Sequence, residues 1–125
     1  MNIKEINQLK RALLHTLELR TGIVFDIPIV IDREGSYPQK RDYAKTDGTA
    51  IYFSPKILEA GSSRVDGLLR HELAHAILMN EGLHHSEADT DRIAEWAFGD
   101  FIFYDEDGVQ STLGGTRPRP AHLPN

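Results

Sequence analysis

Apolar side chains recur at Ile3, Ile6, Leu9, Leu13, Leu14 and Leu17, with Lys, Glu, Gln and Arg between them. This spacing puts them on one side of a helix, so the first twenty residues read as an amphipathic helix with a scaffold role. In TGIVFDIPIVIDREG the period then changes: a β-branched run spans Ile23 to Ile31, with Ile27, Ile29 and Ile31 alternating as in a strand. Pro28 has no N–H to donate, so this strand is expected to pair fully on only one side at that point.

From Asp32 to Gly48 the chain is polar and rich in turn residues, a long loop with room for a short strand around Tyr43. Thr49 to Pro55 predicts a strand with Ala50 and Tyr52 on one face and Ile51 and Phe53 on the other. A short helix, Pro55 to Glu59, should end at Gly61. Ser63 with Asp66 behind it predicts an N-cap for a helix that runs to about Asn80 and stops at Gly82. Val65, Leu69, Leu73, Ala76 and Ile77 form its apolar stripe.

Ser86 followed by Glu87 and Asp89 repeats the capping signature, and Ile93, Ala94, Trp96, Ala97 and Ile102 supply the apolar face of the next helix. Trp96 and Phe98 read as core. Beyond Tyr104 the chain turns to Gly, Pro and polar residues, so 105–125 is expected to be a loosely ordered tail behind a domain of residues 1–104. No internal repeat is present. The pattern is that of an α+β fold: an N-terminal helix, a short mixed sheet whose strand Thr49–Phe53 forms an edge, and two consecutive helices packed antiparallel.

A chain of 125 residues with 40% hydrophobic content fits one domain with a modest core. It contains no cysteine, which excludes disulfides and thiolate metal sites, so a metal would be held by His, Asp and Glu. The net charge of -5 and the lack of a clustered basic patch argue against nucleic acid as a partner. No apolar run approaches the roughly 20 residues that span a bilayer, and the first residues lack a signal-peptide pattern. No membrane partner is expected, and the cytoplasm, of a cell or of a phage-infected host, is the expected location.

The candidate chemistry lies in LLRHELAHAILMNEGLHHSEADTDRIAEWAF, Leu68 to Phe98. Residues four apart on a helix sit about 40° from each other around the axis and about 6 Å apart along it, so His71 and His75 of HELAH point the same way and can share one ion. Glu72 flanks that face, within reach of a water at the metal, as a general base requires. The apolar stripe covers the opposite side.

For the third ligand the chain offers His84, His85, Glu87, Asp89 and Asp91. If the second helix starts abreast of His75 and runs back along the first, Glu87 meets His75 and Asp91, four residues on, meets His71. Glu87 then completes the metal triad while Asp91 accepts the other ring N–H of His71. Asp89 lies about 200° around the helix from Glu87 and reads as a solvent-facing first-turn carboxylate. His84 and His85 fall in the reversal loop. Neither has the spacing of HExxHxxGxxH, since Leu78 and Glu81 stand at its Gly and third His. Either could still face the cleft.

HELAH followed by SEADTD resembles the gluzincin metallopeptidases, in which HExxH and the glutamate of a following ExxxD hold the metal. Minigluzincins and ImmA/IrrE-type peptidases are closest in scale; Glu87, Asp91, Ile93 and Ala94 match the pattern of their second helix. Small phage-encoded proteins with HExxHAxL look similar. The resemblance covers about Gly48 to Phe103 and implies a small zincin-like domain. The Tyr and His electrophiles of the larger gluzincins have no counterpart here.

The resulting expectation is a zinc-dependent peptidase in which His71, His75 and Glu87 hold Zn2+, Glu72 is the general base and a peptide or protein is the substrate. Narrow specificity is expected of so short a chain, and the resemblance to ImmA/IrrE-type peptidases implies a regulatory role such as cleaving a repressor. Tyr52 and His84 are candidates for stabilising the oxyanion, and the strand Thr49–Phe53 would receive the peptide along its edge. The tail, through His122 or the acidic residues Asp105 to Asp107, is a candidate cap for the cleft. The alternative is a zinc-bearing structural or peptide-binding protein, such as a phage particle component, without proteolytic activity; the presence of Glu72 favours the peptidase.

Overall fold

The structure, a computed structural model, describes residues 1–33 and 44–99 together with the backbone of two short strands at 102–104 and 110–112. Helix α1, Ile3–Thr21, follows the predicted stripe: Ile6, Leu13 and Leu17 are buried. Asn2 caps it, accepting from the Glu5 N–H at 2.8 Å while the Asn2 N–H donates to Glu5 Oε1 at 3.0 Å, so two otherwise orphaned donors are satisfied. Gly22 ends it at φ +77°, where a side chain would be strained. Lys10 lies in the buried stripe as well. Its ammonium donates to Ile27 O at 2.9 Å and pairs with Asp26 at 3.0 Å, which ties the incoming strand to α1. The same hydrogen bond lowers the pKa of the Asp26 carboxyl.

Three strands follow, β1 at Ile29–Ile31, β2 at Ala44–Thr46 and β3 at Ile51–Phe53. The strand expected from Ile23 to Ile31 is thus regular only over its last three residues. Among the described residues it pairs with β3 alone, in agreement with the expectation from Pro28, whose carbonyl accepts the Ile51 N–H at 2.9 Å. The order is β1-β3-β2, parallel between β1 and β3 and antiparallel between β3 and β2. The expectation that Thr49–Phe53 forms the sheet edge is therefore wrong. β3 is central, hydrogen-bonded on both sides, and cannot receive a further strand. The strand expected around Tyr43 is described from Ala44 onward, and residues 34–43 lie outside the described residues.

A 3₁₀ turn, Pro55–Glu59, leads to α2, Ser62–Asn80. The N-cap is Gly61 rather than Ser63, which sits within the first turn, and no side chain caps this end. Val65, Leu69, Leu73, Ala76 and Ile77 are all buried, and they pack with Leu13, Leu17, Ile51 and Phe53 into one core. Asn80 closes the helix by donating to Gly48 O and Ala76 O, both at 2.8 Å, which pins the β2–β3 turn onto its last residues. Gly82, at φ +69°, turns the chain back.

Helix α3, Glu87–Phe98, packs against both α2 and α1. Ser86 caps it as predicted, accepting from the Asp89 N–H at 3.2 Å, and Asp89 accepts from the Ser86 N–H at 3.0 Å. Asp89 thus completes a capping box. Ala94, Ala97 and Phe98 are buried, but Trp96 is 52% exposed, which corrects its assignment to the core. Two residues of helix are about 200°, so a side chain two beyond inward-facing Ala94 points outward. Ile102 does not extend this helix: Gly99, at φ +86°, ends it, and Ile102 opens β4, Ile102–Tyr104. That strand pairs antiparallel with β5, Gln110–Thr112, which falls in the segment expected to be loosely ordered. The other tail residues, including Asp105 to Asp107 and His122, lie outside the described residues.

No helix among the described residues is long and apolar enough to cross a membrane.

Candidate metal centre

The site is built by α2 and the first turn of α3. One turn apart on α2, the rings of His71 and His75 meet edge to face at 87° with centroids 4.5 Å apart, which brings their Nε2 atoms to 3.0 Å. Glu87 enters from the N-terminus of α3. Its Oε2 lies 3.0 Å from His71 Nε2 and its Oε1 3.2 Å from His75 Nε2. The helix turn that should bring Glu87 to the histidines therefore does so. Both histidine side chains are largely covered, 15% and 16% exposed, whereas Glu87 at 60% closes the site from the solvent side.

One turn further along α3, Asp91 Oδ1 faces His71 Nδ1 at 3.8 Å, just beyond hydrogen-bonding range. Burial opposes protonation of His71. The carboxylates of Asp91, Glu72 and Glu87 together outweigh it, and the ring's pKa stands above the ordinary 6.5. His75 shifts the other way, lowered by burial first and by the neighbouring His71 charge second. Two adjacent imidazoles thus differ in basicity because one has a carboxylate on each side.

Glu72 is buried, and one atom from each of His71, Glu72 and His75 lies within 4.8 Å of the others, a group able to hold a metal ion. Glu87 also reaches both histidines, at 3.0 and 3.2 Å. Ligands about 2.05 Å from a tetrahedral ion are about 3.3 Å from one another. The separations of 3.0, 3.0 and 3.2 Å among His71, His75 and Glu87 come close to that edge length. The donor set is imidazole and carboxylate, the set that zinc accepts. His71 Nδ1 is buried with no hydrogen-bond partner among the described residues, and a cation held at Nε2 would place the ring proton on Nδ1, facing the Asp91 carboxylate. The residues present therefore fit a metal.

The two oxyanion candidates stand on strand β3 and in the α2–α3 connection. Tyr52 lies on the sheet face opposite buried Ile51 and Phe53, with its hydroxyl 3.3 Å from Asp47 Oδ2. His84 is exposed in the α2–α3 connection. Its neighbour His85, read as a loop residue that could face the cleft, stands 2.8 Å from His75 Nδ1, and Thr90, not singled out at all, is 3.3 Å from the same atom. Thr90 could have been found from the sequence. It lies three residues after Glu87, on the side of α3 that faces α2, as a polar residue in an otherwise buried row.

No family model and no curated protein sequence matches the chain. Among solved structures it is similar to the crystal structure of the metallopeptidase zymogen of Pyrococcus abyssi abylysin, at 23% identity and a TM-score of 0.54. The match covers 74% of this chain and 79% of that one. The chain thus shares the fold of a metallopeptidase, and its own His71, Glu72 and His75 cluster could hold a metal ion at the α2–α3 junction.

Proposed function

We propose that the protein is a zinc-dependent peptidase of gluzincin type, with His71, His75 and Glu87 as metal ligands, Glu72 as general base and Asp91 as the partner that orients His71. The observation that carries this reading is Glu87, whose two oxygens reach both Nε2 atoms from a different helix. Bound there, zinc supplies Lewis-acid chemistry, acidifying a water and polarising a peptide carbonyl. Glu72, buried beside the histidines, would take a proton from a water attacking the carbonyl carbon. When the C–N bond breaks, the same carboxyl returns the proton to the leaving amine.

Glu87, mostly exposed, accepts no proton in this scheme and serves to hold and shield. The substrate is a peptide or protein. Narrow specificity, with cleavage of a regulatory protein such as a repressor, agrees with the small size of the domain and with the ImmA/IrrE-like pattern of α3.

Metal analysis and a peptide-library assay test the proposal together. The wild type should carry stoichiometric zinc and cleave a defined subset of peptides. Glu87→Ala should lose the metal. Glu72→Gln should keep the metal and lose cleavage by a factor of about 10²–10⁴. Absence of zinc from the wild type ends this reading. Zinc without cleavage, or undiminished cleavage by Glu72→Gln, makes the chain a metal-bearing structural or binding protein instead.

A further inference from the structure

His75 Nδ1 points away from the triangle formed by the two Nε2 atoms and Glu87, and it meets His85 Nε2 at 2.8 Å and Thr90 Oγ1 at 3.3 Å. Either contact alone leaves open which nitrogen of His75 carries the proton. What lies behind each contact decides it. His85 turns its own Nδ1 to the carbonyl of Leu83 at 3.0 Å, and a carbonyl oxygen can only accept. The proton of neutral His85 is therefore on Nδ1, and its Nε2 offers His75 a lone pair. Thr90 Oγ1 lies 3.1 Å from Ser86 O, to which it donates its single proton, so it too shows His75 only lone pairs.

Both neighbours thus require a proton on His75 Nδ1, shared between them. The other nitrogen of the neutral ring, Nε2, is left with a lone pair directed at Glu87 and His71.

We propose that His85 and Thr90 lock His75 in its Nδ1–H tautomer, with the carbonyls of Leu83 and Ser86 as the fixed points, so that the Nε2 lone pair is presented before any metal arrives. This rests on reading the triangle as a metal centre. Both are positioning residues, since each acts through the His75 ring. They stand on the Nδ1 side of His75 as Asp91 stands on the Nδ1 side of His71, though Asp91, at 3.8 Å, is beyond hydrogen-bonding range. The lock also accounts for His85 as something other than a ligand: its Nε2 is engaged by His75 and its Nδ1 by the backbone. Without the lock, a proton on Nε2 would occupy the position of the ion and would have to leave, or the ring turn, before binding.

The test is ¹⁵N NMR of histidine-labelled protein, metal-free and at pH about 8.5, where histidine is neutral, combined with Zn2+ affinity measured against a chromophoric chelator. The wild type should show His75 with a protonated Nδ1 and an unprotonated Nε2. In His85→Leu combined with Thr90→Val, the Nε2-protonated form should appear and zinc affinity should fall about 10–100-fold. His85→Gln keeps an acceptor toward His75, and should hold the wild-type tautomer and recover most of the affinity. A merely structural loop role would not separate Gln from Leu in the tautomer signal. His85→Leu alone, at a partly exposed loop position, provides the same readout if the buried Thr90 position tolerates no change. The proposal fails if metal-free wild type carries the His75 proton on Nε2, or if the acceptor-free variants keep both tautomer and affinity. If the wild type binds no zinc, the metal-centre reading fails instead, while the tautomer in the metal-free protein still decides the lock.

Discussion

Glu87 Oε2 stands 3.0 Å from His71 Nε2, a contact that joins the first turn of α3 to the middle of α2. Because the other oxygen of the same carboxylate serves His75 at 3.2 Å, the length of the Glu87 side chain is itself a determinant of the site. Glu87→Asp withdraws the carboxylate by about 1.5 Å, one carbon–carbon bond, so it can no longer approach both rings. Zinc affinity should drop at least as far as for an outer partner, about 10–100-fold. Glu87 is largely exposed, so the stability of the metal-free protein should change little, within about 0.5 kcal/mol. Titration against a chelator, together with melting of the metal-free protein, checks both. An affinity unchanged by the shorter side chain would exclude Glu87 as a ligand.

The opposed shifts of the two histidines give a pH signature. His71, raised above 6.5 in the folded metal-free protein, contributes stability that is complete below pH 6.5 and is lost as pH rises through its folded pKa. His75, lowered, contributes stability that is complete above pH 6.5 and is lost as pH falls toward its folded pKa. As far as these two residues act, the metal-free protein should be most stable near pH 6.5. Zinc must displace the His71 proton, so its apparent affinity should rise with pH until His71 is deprotonated and then level off. Following the ring protons of the two histidines by NMR should give one midpoint above and one below 6.5; coincident midpoints would refute the asymmetry.

Helix periodicity is a local signal, and what depended on it was legible before the fold. Leu69, Leu73 and Ile77 are buried where the stripe in the sequence places them, and the four-residue step from Glu87 to Asp91 does match the step from His75 to His71. The position of β3 was not legible. A strand of three residues shows which face is buried, through Ile51 and Phe53, but not how many neighbours it has, because its partners Ile29–Ile31 and Ala44–Thr46 come from elsewhere in the chain. His85 escaped for a related reason. Its approach to His75 depends on how the connection after Gly82 folds, and no periodicity governs a loop.

The turn between β2 and β3 carries a second prediction from local geometry. Gly48 has φ +88°, and a Cβ there would come within 3.2 Å of Met79 Cβ at the end of α2, where its carbonyl also accepts from Asn80. Gly48→Ala therefore combines a left-handed backbone with crowding against a helix and should cost about 1–3 kcal/mol. Gly22 has a similar φ of +77° with nothing within 4 Å of the added carbon, so Gly22→Ala should cost less. Urea denaturation of both variants measures the difference. Equal costs would show that only the backbone term operates at Gly48.

Asp47 organises the same turn. Its Oδ1 accepts from the Thr49 hydroxyl at 2.6 Å, from the Thr49 N–H at 2.8 Å and from the Ala50 N–H at 3.1 Å, while its Oδ2 lies 3.3 Å from the Tyr52 hydroxyl. These donors favour the ionised form, the Thr49 hydroxyl most, and hold the carboxyl at about 2 instead of 3.8. A carboxyl depressed in the folded state stabilises fully above its unfolded pKa and loses that contribution as pH falls through the folded one, here between 3.8 and about 2. The amide proton of Thr49 should therefore keep its hydrogen-bonded chemical shift down to pH 3 and move only as pH approaches 2, provided the domain is still folded. Asp47→Asn removes the charge but keeps an acceptor, so it should abolish this titration while leaving the turn formed. A Thr49 midpoint near 3.8 in the wild type would mean that the carboxylate is solvated rather than held by the turn, and the cohesion of the β2–β3 connection would then rest on Asn80 and the close packing of Gly48 alone.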